Sequence, residues 1–438
     1  MTERIKKSAI ERIGEFERFG SVLGLERISA LLAKLGDPQK DLGVIHVAGT
    51  NGKGSVCRYI YEGLQANGYK VGLYTSPFIE RFEERIEFDY RLISEEDLEK
   101  YTDRVIAAAQ ELIAEGSESP TEFEIVTAIA LCYFKDQNAD FVILEVGLGG
   151  RGDSTNVIER PLISIITSIG YDHMDRLGDT LAEIAGEKAG IIKPGVPVVM
   201  NVEEREPAVV IAREAYKNGC VLHDVSKTKW YKTEDVGYGS CFNTFIEGTD
   251  YGDVEISMAG EHQIENAVTA LTAIEILRKA GIISVERTRL YEGLKKAVQK
   301  GRFEVIGADE KFVLDGAHNP DGMEALVGTV DDIYYGSRVL VVMGVLADKA
   351  VGQIVELAQH MADEFIITEP DNPRKMPADE LAAMLTSKGK ECIVCPVPAD
   401  AVKKAKEMAD DYDVVICAGS LYLIGEIRKL LREGSIDE

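Results

Sequence analysis

Short, wholly apolar runs alternate along this chain with longer stretches whose apolar residues recur at helical spacing. Val44–Val47, Val71–Tyr74, Phe141–Val146, Ile163–Ser168 and Val196–Met200 read as buried strands. Glu95–Glu115 and Glu122–Lys135 carry the helical pattern between them. This alternation predicts a parallel sheet covered on both faces. The Thr/Gly/Asp-rich stretch Thr228–Gly260 breaks the rhythm and predicts a small antiparallel excursion, followed by a helix over Ile264–Ala280. After the polar connector Gln299–Gly301 the alternation restarts, with strands at Phe312–Asp315, Val339–Gly344, Glu364–Thr368, Cys392–Cys395 and Val414–Ala418. Ligands in such sheets bind beyond the carboxyl ends of strands, and the motifs of this chain fall there.

The first apolar strand runs into Val47-Ala-Gly49-Thr50-Asn51-Gly52-Lys53-Gly54-Ser55, and Val56–Gly68 then has helical spacing. Strand, glycine-rich turn and helix make a phosphate cradle. Backbone N–H groups and the helix N-terminus face anionic oxygens, Lys53 lies against the outer phosphates, and Ser55 can reach magnesium. Gly54, between Lys53 and Ser55, departs from the standard frame. The fold class is therefore α/β. A phosphate-loop (P-loop) parallel-sheet ATPase domain is expected over 1–298, and a smaller Rossmann-like α/β domain over 299–438.

Composition adds exclusions. The chain is 45% hydrophobic and 28% charged, and its longest strongly apolar run, Val339–Ala347, is far too short to span a bilayer. Met1–Arg12 alternates charge without an apolar signal core, and the seven scattered cysteines suit reduced thiols, so a cytoplasmic home is expected. Cys392 and Cys395 form one C-x-x-C, but they flank apolar residues of a strand and read as core packing. With 49 basic against 75 acidic residues the net charge is −26, which argues against a nucleic-acid partner.

Further chemistry-bearing residues follow strand ends. Glu145 is an acid inside an apolar strand, and a buried carboxylate needs a metal or an ion-pair partner such as Arg151. Beside a phosphate loop the metal is favoured. Gly147-Leu-Gly149-Gly-Arg-Gly152 spells the dinucleotide fingerprint, but Asp153–Pro161 leaves no room for the helix that motif requires, so it reads as a substrate-shaping loop. His173 lies just past a strand and reads as a ligand, and Lys188 sits among small and apolar residues. Ser76 offers an oxygen on the same rim, Phe78 and Phe82 can stack a flat ring, and Arg81 and Arg85 can meet carboxylates. Asn266, Arg302, Asp315 and His318 border a cleft between the two sheets.

Taken in order, G-T-N-G-K-G-S at 49–55, S-P-F at 76–78, L-E-V-G-L-G-G-R at 144–151, D-H-M at 172–174, E-K-A-G-I-I-K-P-G at 187–195, H-Q-x-x-N at 262–266, G-R-F-E at 301–304, L-D-G-A-H-N-P-D-G at 314–322 and G-S-L-Y at 419–422 span nearly the whole chain. In these motifs the chain resembles the folylpolyglutamate synthase/dihydrofolate synthase family of the Mur ligase superfamily. The resemblance implies magnesium, in two sites, at Ser76, Glu145 and His173, and a carbamylated Lys188. It implies nucleotide contacts at Gly49–Ser55, Asn266, Arg302 and Asp315. The folate side would be served by Phe78, Arg85, Thr121, Glu122, Phe123, Glu124, Asp153 and Ser154, with His318 and Ser420 near the incoming glutamate. Lys53, His173 and Lys188 would be catalytic.

The implied reaction is ATP-dependent. A folate carboxylate, or dihydropteroate, takes the γ-phosphoryl group as an acyl phosphate, and the amine of L-glutamate displaces phosphate. The expected partners are these small molecules, with no membrane and no nucleic acid, and the expected state is a monomer. The alternative is another ligase of the superfamily, acting on a muramyl peptide or polyglutamate. Muramyl ligases carry an extra N-terminal nucleotide-sugar domain, and the roughly forty residues before the first strand count against that alternative. A nicotinamide oxidoreductase using 147–152 and a nucleotide-sensing switch are the readings from other classes.

Overall fold

The computed structural model describes residues 7–16, 23–307, 311–362 and 364–433. Strand β1 (Val44–Ala48) is buried along its whole length, as a central parallel strand must be. It is followed by β2 (Val71–Tyr74), β3 (Ile86–Phe88), β4 (Arg91–Leu92), β5 (Phe141–Glu145), β6 (Ile163–Ile166), β7 (Val198–Met200) and β8 (Leu222–Asp224). They form one sheet in the order β4-β3-β2-β5-β1-β6-β7-β8. The strands from β2 to β8 in that order are parallel. At one edge β3 and β4 run antiparallel, an addition to the expected parallel sheet. Asp89 and Tyr90 join them with φ of 50° and 63°, the left-handed pair that closes a two-residue hairpin. Strand β8 was not foreseen either. It is only half-buried and reads Leu-His-Asp, without an apolar run.

Helix α1 (Lys53–Ala66) follows β1, and α2 (Glu122–Asp136), α3 (Leu181–Lys188) and α4 (Glu261–Lys279) complete the frame around the sheet. Side chains alternate across β5. Ile143 joins Val56, Ile60, Val268 and Leu271 of α1 and α4, whereas Val142 and Leu144 join Ile125 and Ile129 of α2 on the opposite face. Each such fully buried aliphatic side chain contributes about 1.5–3 kcal/mol. The excursion predicted at 228–260 is a three-stranded antiparallel sheet of β9 (Trp230–Val236), β10 (Gly239–Ile246) and β11 (Thr249–Ile256).

The second sheet consists of β12 (Glu304–Ile306), β13 (Phe312–Leu314), β14 (Val339–Met343), β15 (Glu364–Ile367), β16 (Glu391–Val394) and β17 (Val414–Ala418), in the order β12-β13-β17-β14-β15-β16. All but β12 are parallel. Helices α5 (Pro320–Ile333) and α6 (Leu421–Glu433) start just past β13 and β17. Cys392 and Cys395 are free and pack against the cores on opposite faces of this sheet, so their spacing serves packing. No helix among the described residues is long and apolar enough to cross a membrane.

Candidate active site

Between the end of β1 and the start of α1 lie Gly49, Thr50, Asn51 and Gly52. The loop after β6 pins this turn. Thr50 N–H donates to the Ser168 carbonyl at 2.7 Å, Asn51 N–H to Ser168 Oγ at 2.9 Å, and Thr167 Oγ1 to the Asn51 carbonyl at 2.6 Å. Gly52 has a φ of 82°, and a Cβ there would stand 2.4 Å from Asn266 Oδ1, so both backbone and space require glycine. Lys53 Nζ donates to the carbonyls of Gly49 at 3.1 Å and Thr50 at 2.9 Å. Lys188, the last residue of α3, donates to the same Gly49 oxygen at 2.8 Å. Burial, then the nearby Lys53 charge, pulls the Lys188 ammonium down to about 7.

This loop opens on a cavity of about 590 Å³ between the carboxyl ends of the two sheets. From the first sheet come Gly49–Gly54, Ser76, Arg85, Thr121, Glu122, Phe123, Glu145, Asp153, Ser154, His173 and Lys188; from the second come His318, Lys349, Arg374 and Ser420. A second cavity of about 400 Å³ is lined by Ser55, Asn266 and Asp315, and it shares Asn51, Gly52 and Arg302 with the first. One glycine-rich turn thus serves two adjoining chambers.

Burial pushes the Glu145 carboxyl up, partly offset by Lys53 and by the Ser76 N–H, which donates to its Oε2 at 3.3 Å. The ion-pair alternative for Glu145 does not hold, because Arg151 turns away to the Gly186 carbonyl and Glu187. Burial pulls His173 down to about 4, leaving a neutral imidazole able to act as a ligand. Asp172 is half-buried, which works against its charge, yet His318, His173 and Lys349 hold its carboxyl well below the usual range. The Lys349–Asp172 pair, at 2.6 Å, bridges the two lobes inside the cavity. Asp315, pushed up by burial, accepts from the N–H groups of Phe303 and Ala317, both at 2.8 Å, and so braces the connector as well as lining the second chamber. Arg85 stacks over Phe78 and Phe82, and its Nε, like Ser420 Oγ, is buried without a hydrogen-bond partner among the described residues. A polar ligand in the cavity would satisfy such groups.

Among the described residues no cluster of three or more His, Cys, Asp or Glu could hold a metal alone. Magnesium needs no such cage, since it is commonly held by one or two carboxylates together with substrate phosphates and water. The Glu145 carboxylate beside Ser76 and the phosphate loop fits that donor set. As an ammonium Lys188 offers a metal no lone pair, whereas a carbamate on its Nζ would offer oxygens.

The sequence matches the Mur ligase middle domain over residues 47–274 and the Mur ligase glutamate ligase domain over residues 301–421. It is 39% identical over 421 residues to the dihydrofolate synthase/folylpolyglutamate synthase of Bacillus subtilis, covering 95% of this chain and 96% of that one. The chain belongs to the folylpolyglutamate synthase/dihydrofolate synthase family of Mur ligases. Among solved structures, this Mur ligase is similar to the folylpolyglutamate synthase of Thermotoga maritima (TM-score 0.85, 35% identity, 97% of each chain). It is also similar to E. coli FolC in complex with DHPP and ADP (TM-score 0.86, 30% identity, 99% of this chain and 100% of that one). Folate-ligase names on relatives matched end to end leave the muramyl-peptide alternative unfavoured.

In this Mur ligase most of the sequence-derived candidates converge on the two chambers; Phe78, Arg81, Phe82 and Glu124 do not line either, Phe82 packing in the core and Arg81 pairing with Glu83. Phe78 is 37% exposed on the loop beyond Ser76 and supports Arg85 from outside. Glu124 is 1% exposed and caps α2, its Oε2 taking the Thr121 N–H at 2.7 Å and Arg27 Nε at 3.1 Å, so that oxygen is engaged in structure. The dinucleotide fingerprint at 147–152 leads into a single short turn, Ser154–Val157, and no helix. Sequence reading missed Lys349, Arg374 and Asn319. Lys349 and Arg374 follow β14 and β15, and position beyond a strand end was the available signal. Asn319 stood unremarked inside the A-H-N-P run.

Proposed function

We propose that this ligase adds L-glutamate to folates at the expense of ATP, and that it also joins glutamate to dihydropteroate. The observation that carries this is the single phosphate loop opening on two chambers at the seam of two sheets, one wide and lined with cations, one beside Asn266 and Asp315. ATP would lie with its phosphates on Gly49–Ser55 and its nucleoside against Asn266, Arg302 and Asp315. The folate would occupy the wider chamber beside Arg85, Thr121–Phe123, Asp153 and Ser154, with its carboxylate directed to the loop. A carboxylate oxygen attacks the γ-phosphorus and ADP leaves. The glutamate amine then attacks the acyl carbon near His318 and Ser420, loses its proton, and phosphate departs.

Lys53 would exchange its two carbonyl partners for phosphate oxygens and hold the charge of the transferring group. Magnesium, held by Glu145 and Ser76 with His173 and carbamylated Lys188 at a second site, would neutralise phosphate charge. The depressed Lys188 amine supports that modification, since only a neutral amine adds carbon dioxide. Residues 1–298 would form the ATP-holding unit and 299–438 the lobe that completes it, working as a cytoplasmic monomer.

The test is ADP release measured with each substrate omitted in turn, with products identified by mass across dihydropteroate, tetrahydrofolate and methylene-tetrahydrofolate. Release should require a pterin substrate and glutamate together. Turnover indifferent to the pterin would overturn the assignment.

A further inference from the structure

Asn51 stands in the middle of the phosphate loop with its backbone fully engaged. Its N–H donates to Ser168 Oγ at 2.9 Å, and its carbonyl accepts from Thr167 Oγ1 at 2.6 Å and Ser168 Oγ at 3.2 Å. The side chain reaches out of the loop to the other lobe. Asn51 Nδ2 donates to Asn319 Oδ1 at 3.1 Å, and Asn319 Nδ2 donates back to Asn51 Oδ1 at 3.0 Å. Asn319 is 2% exposed and caps α5, its Oδ1 also accepting the Gly322 N–H at 2.8 Å. The cap fixes which way the Asn319 amide points. The direction of Asn51 then follows, because only an opposed amide can both give to Oδ1 and take from Nδ2.

Two neutral hydrogen bonds contribute little net stability but are strongly directional. Such a pair is poor glue between lobes and a good gauge of their position. Asn51 is bonded directly to Gly52, whose left-handed turn presents the following N–H groups of the cradle. We propose that Asn319 is a positioning residue for the nucleotide, its amide pair holding the phosphate loop in working geometry while the second lobe is docked. This rests on the assignment of that loop as the ATP site.

Asn319→Ser keeps a strong helix cap and loses the amide pair. It should keep the wild-type thermal midpoint and the KM for folate and glutamate. Its kcat/KM for ATP, and its ADP affinity by calorimetry, should fall about tenfold. Asn51→Ser should give the same signature, and the double variant should fall no further than either single one. Wild-type ATP parameters in Asn319→Ser, or losses that multiply in the double variant, would overturn the proposal. Should Asn319→Ser lower the thermal midpoint, the same cycle is run with Asn319→Asp, a cap that cannot donate to Asn51 Oδ1, and the same two outcomes decide. A failed ligase assignment would show in wild-type turnover, whereas failed coupling would show only in the variants.

Discussion

At the scale of single residues, the site is organised by what burial does to charge. Lys188 and Lys53 donate to one carbonyl oxygen, and the more deeply placed Lys188 yields. Its folded value of about 7 lies below the ordinary 10.5, so between those values the unfolded chain holds more protons than the native one. Stability must therefore rise with pH across that window, and below it the cost of the buried charge is present in full. Denaturant unfolding of the wild type against Lys188→Met from pH 7 to 10 should show the wild type gaining on the variant as pH rises. Turnover of Lys188→Ala should be lost and partly restored by a small added carboxylic acid, assayed by ADP release. Lys53→Ala should abolish turnover while leaving the circular dichroism spectrum unchanged. These residues were legible in the sequence because each breaks a local rule, as a lysine among alanines and glycines or a glutamate in an apolar strand. Glu124 came from the resemblance alone, and the structure gives it a local part as well, since an acid three residues after a threonine caps a helix.

At the scale of elements, the phosphate loop depends on one backbone conformation. Gly52→Ala forces a side chain into the left-handed region and against Asn266, a strain of about 1–2 kcal/mol before the steric clash is added. ADP titration should show no binding, with a thermal midpoint a few degrees lower, which for a chain this long corresponds to about that much energy. The strands and helices of both sheets were readable because parallel strands buried on two faces make unbroken apolar runs. The β3–β4 hairpin, β8 and β12 escaped notice because edge strands are short and half-polar.

For the molecule as a whole, the two lobes are joined by charge around the connector. Arg428 of α6 is 3% exposed and holds Glu304 of its own lobe, with contacts of 2.8 and 3.0 Å, and Glu80 of the other. Lys300 holds Glu84 at 2.5 Å. Arg428→Met leaves two part-buried carboxylates without this partner and should cost about 3 kcal/mol, read as an earlier thermal transition. None of this network was legible beforehand, since residues 80 and 428 become neighbours only after both sheets have formed.

The same clamp has a consequence for ancestry and engineering. Gly425 lies so close to the other lobe that a Cβ there would stand 2.1 Å from the Ile79 carbonyl, so the segment between Ser76 and Arg85 touches α6 as well as its own sheet. If the folate lies along this segment as proposed, its grip would be inherited jointly from both halves of the chain. A swap that grafts the terminal half of one relative onto another would alter preference among folates even with every residue of the first sheet untouched.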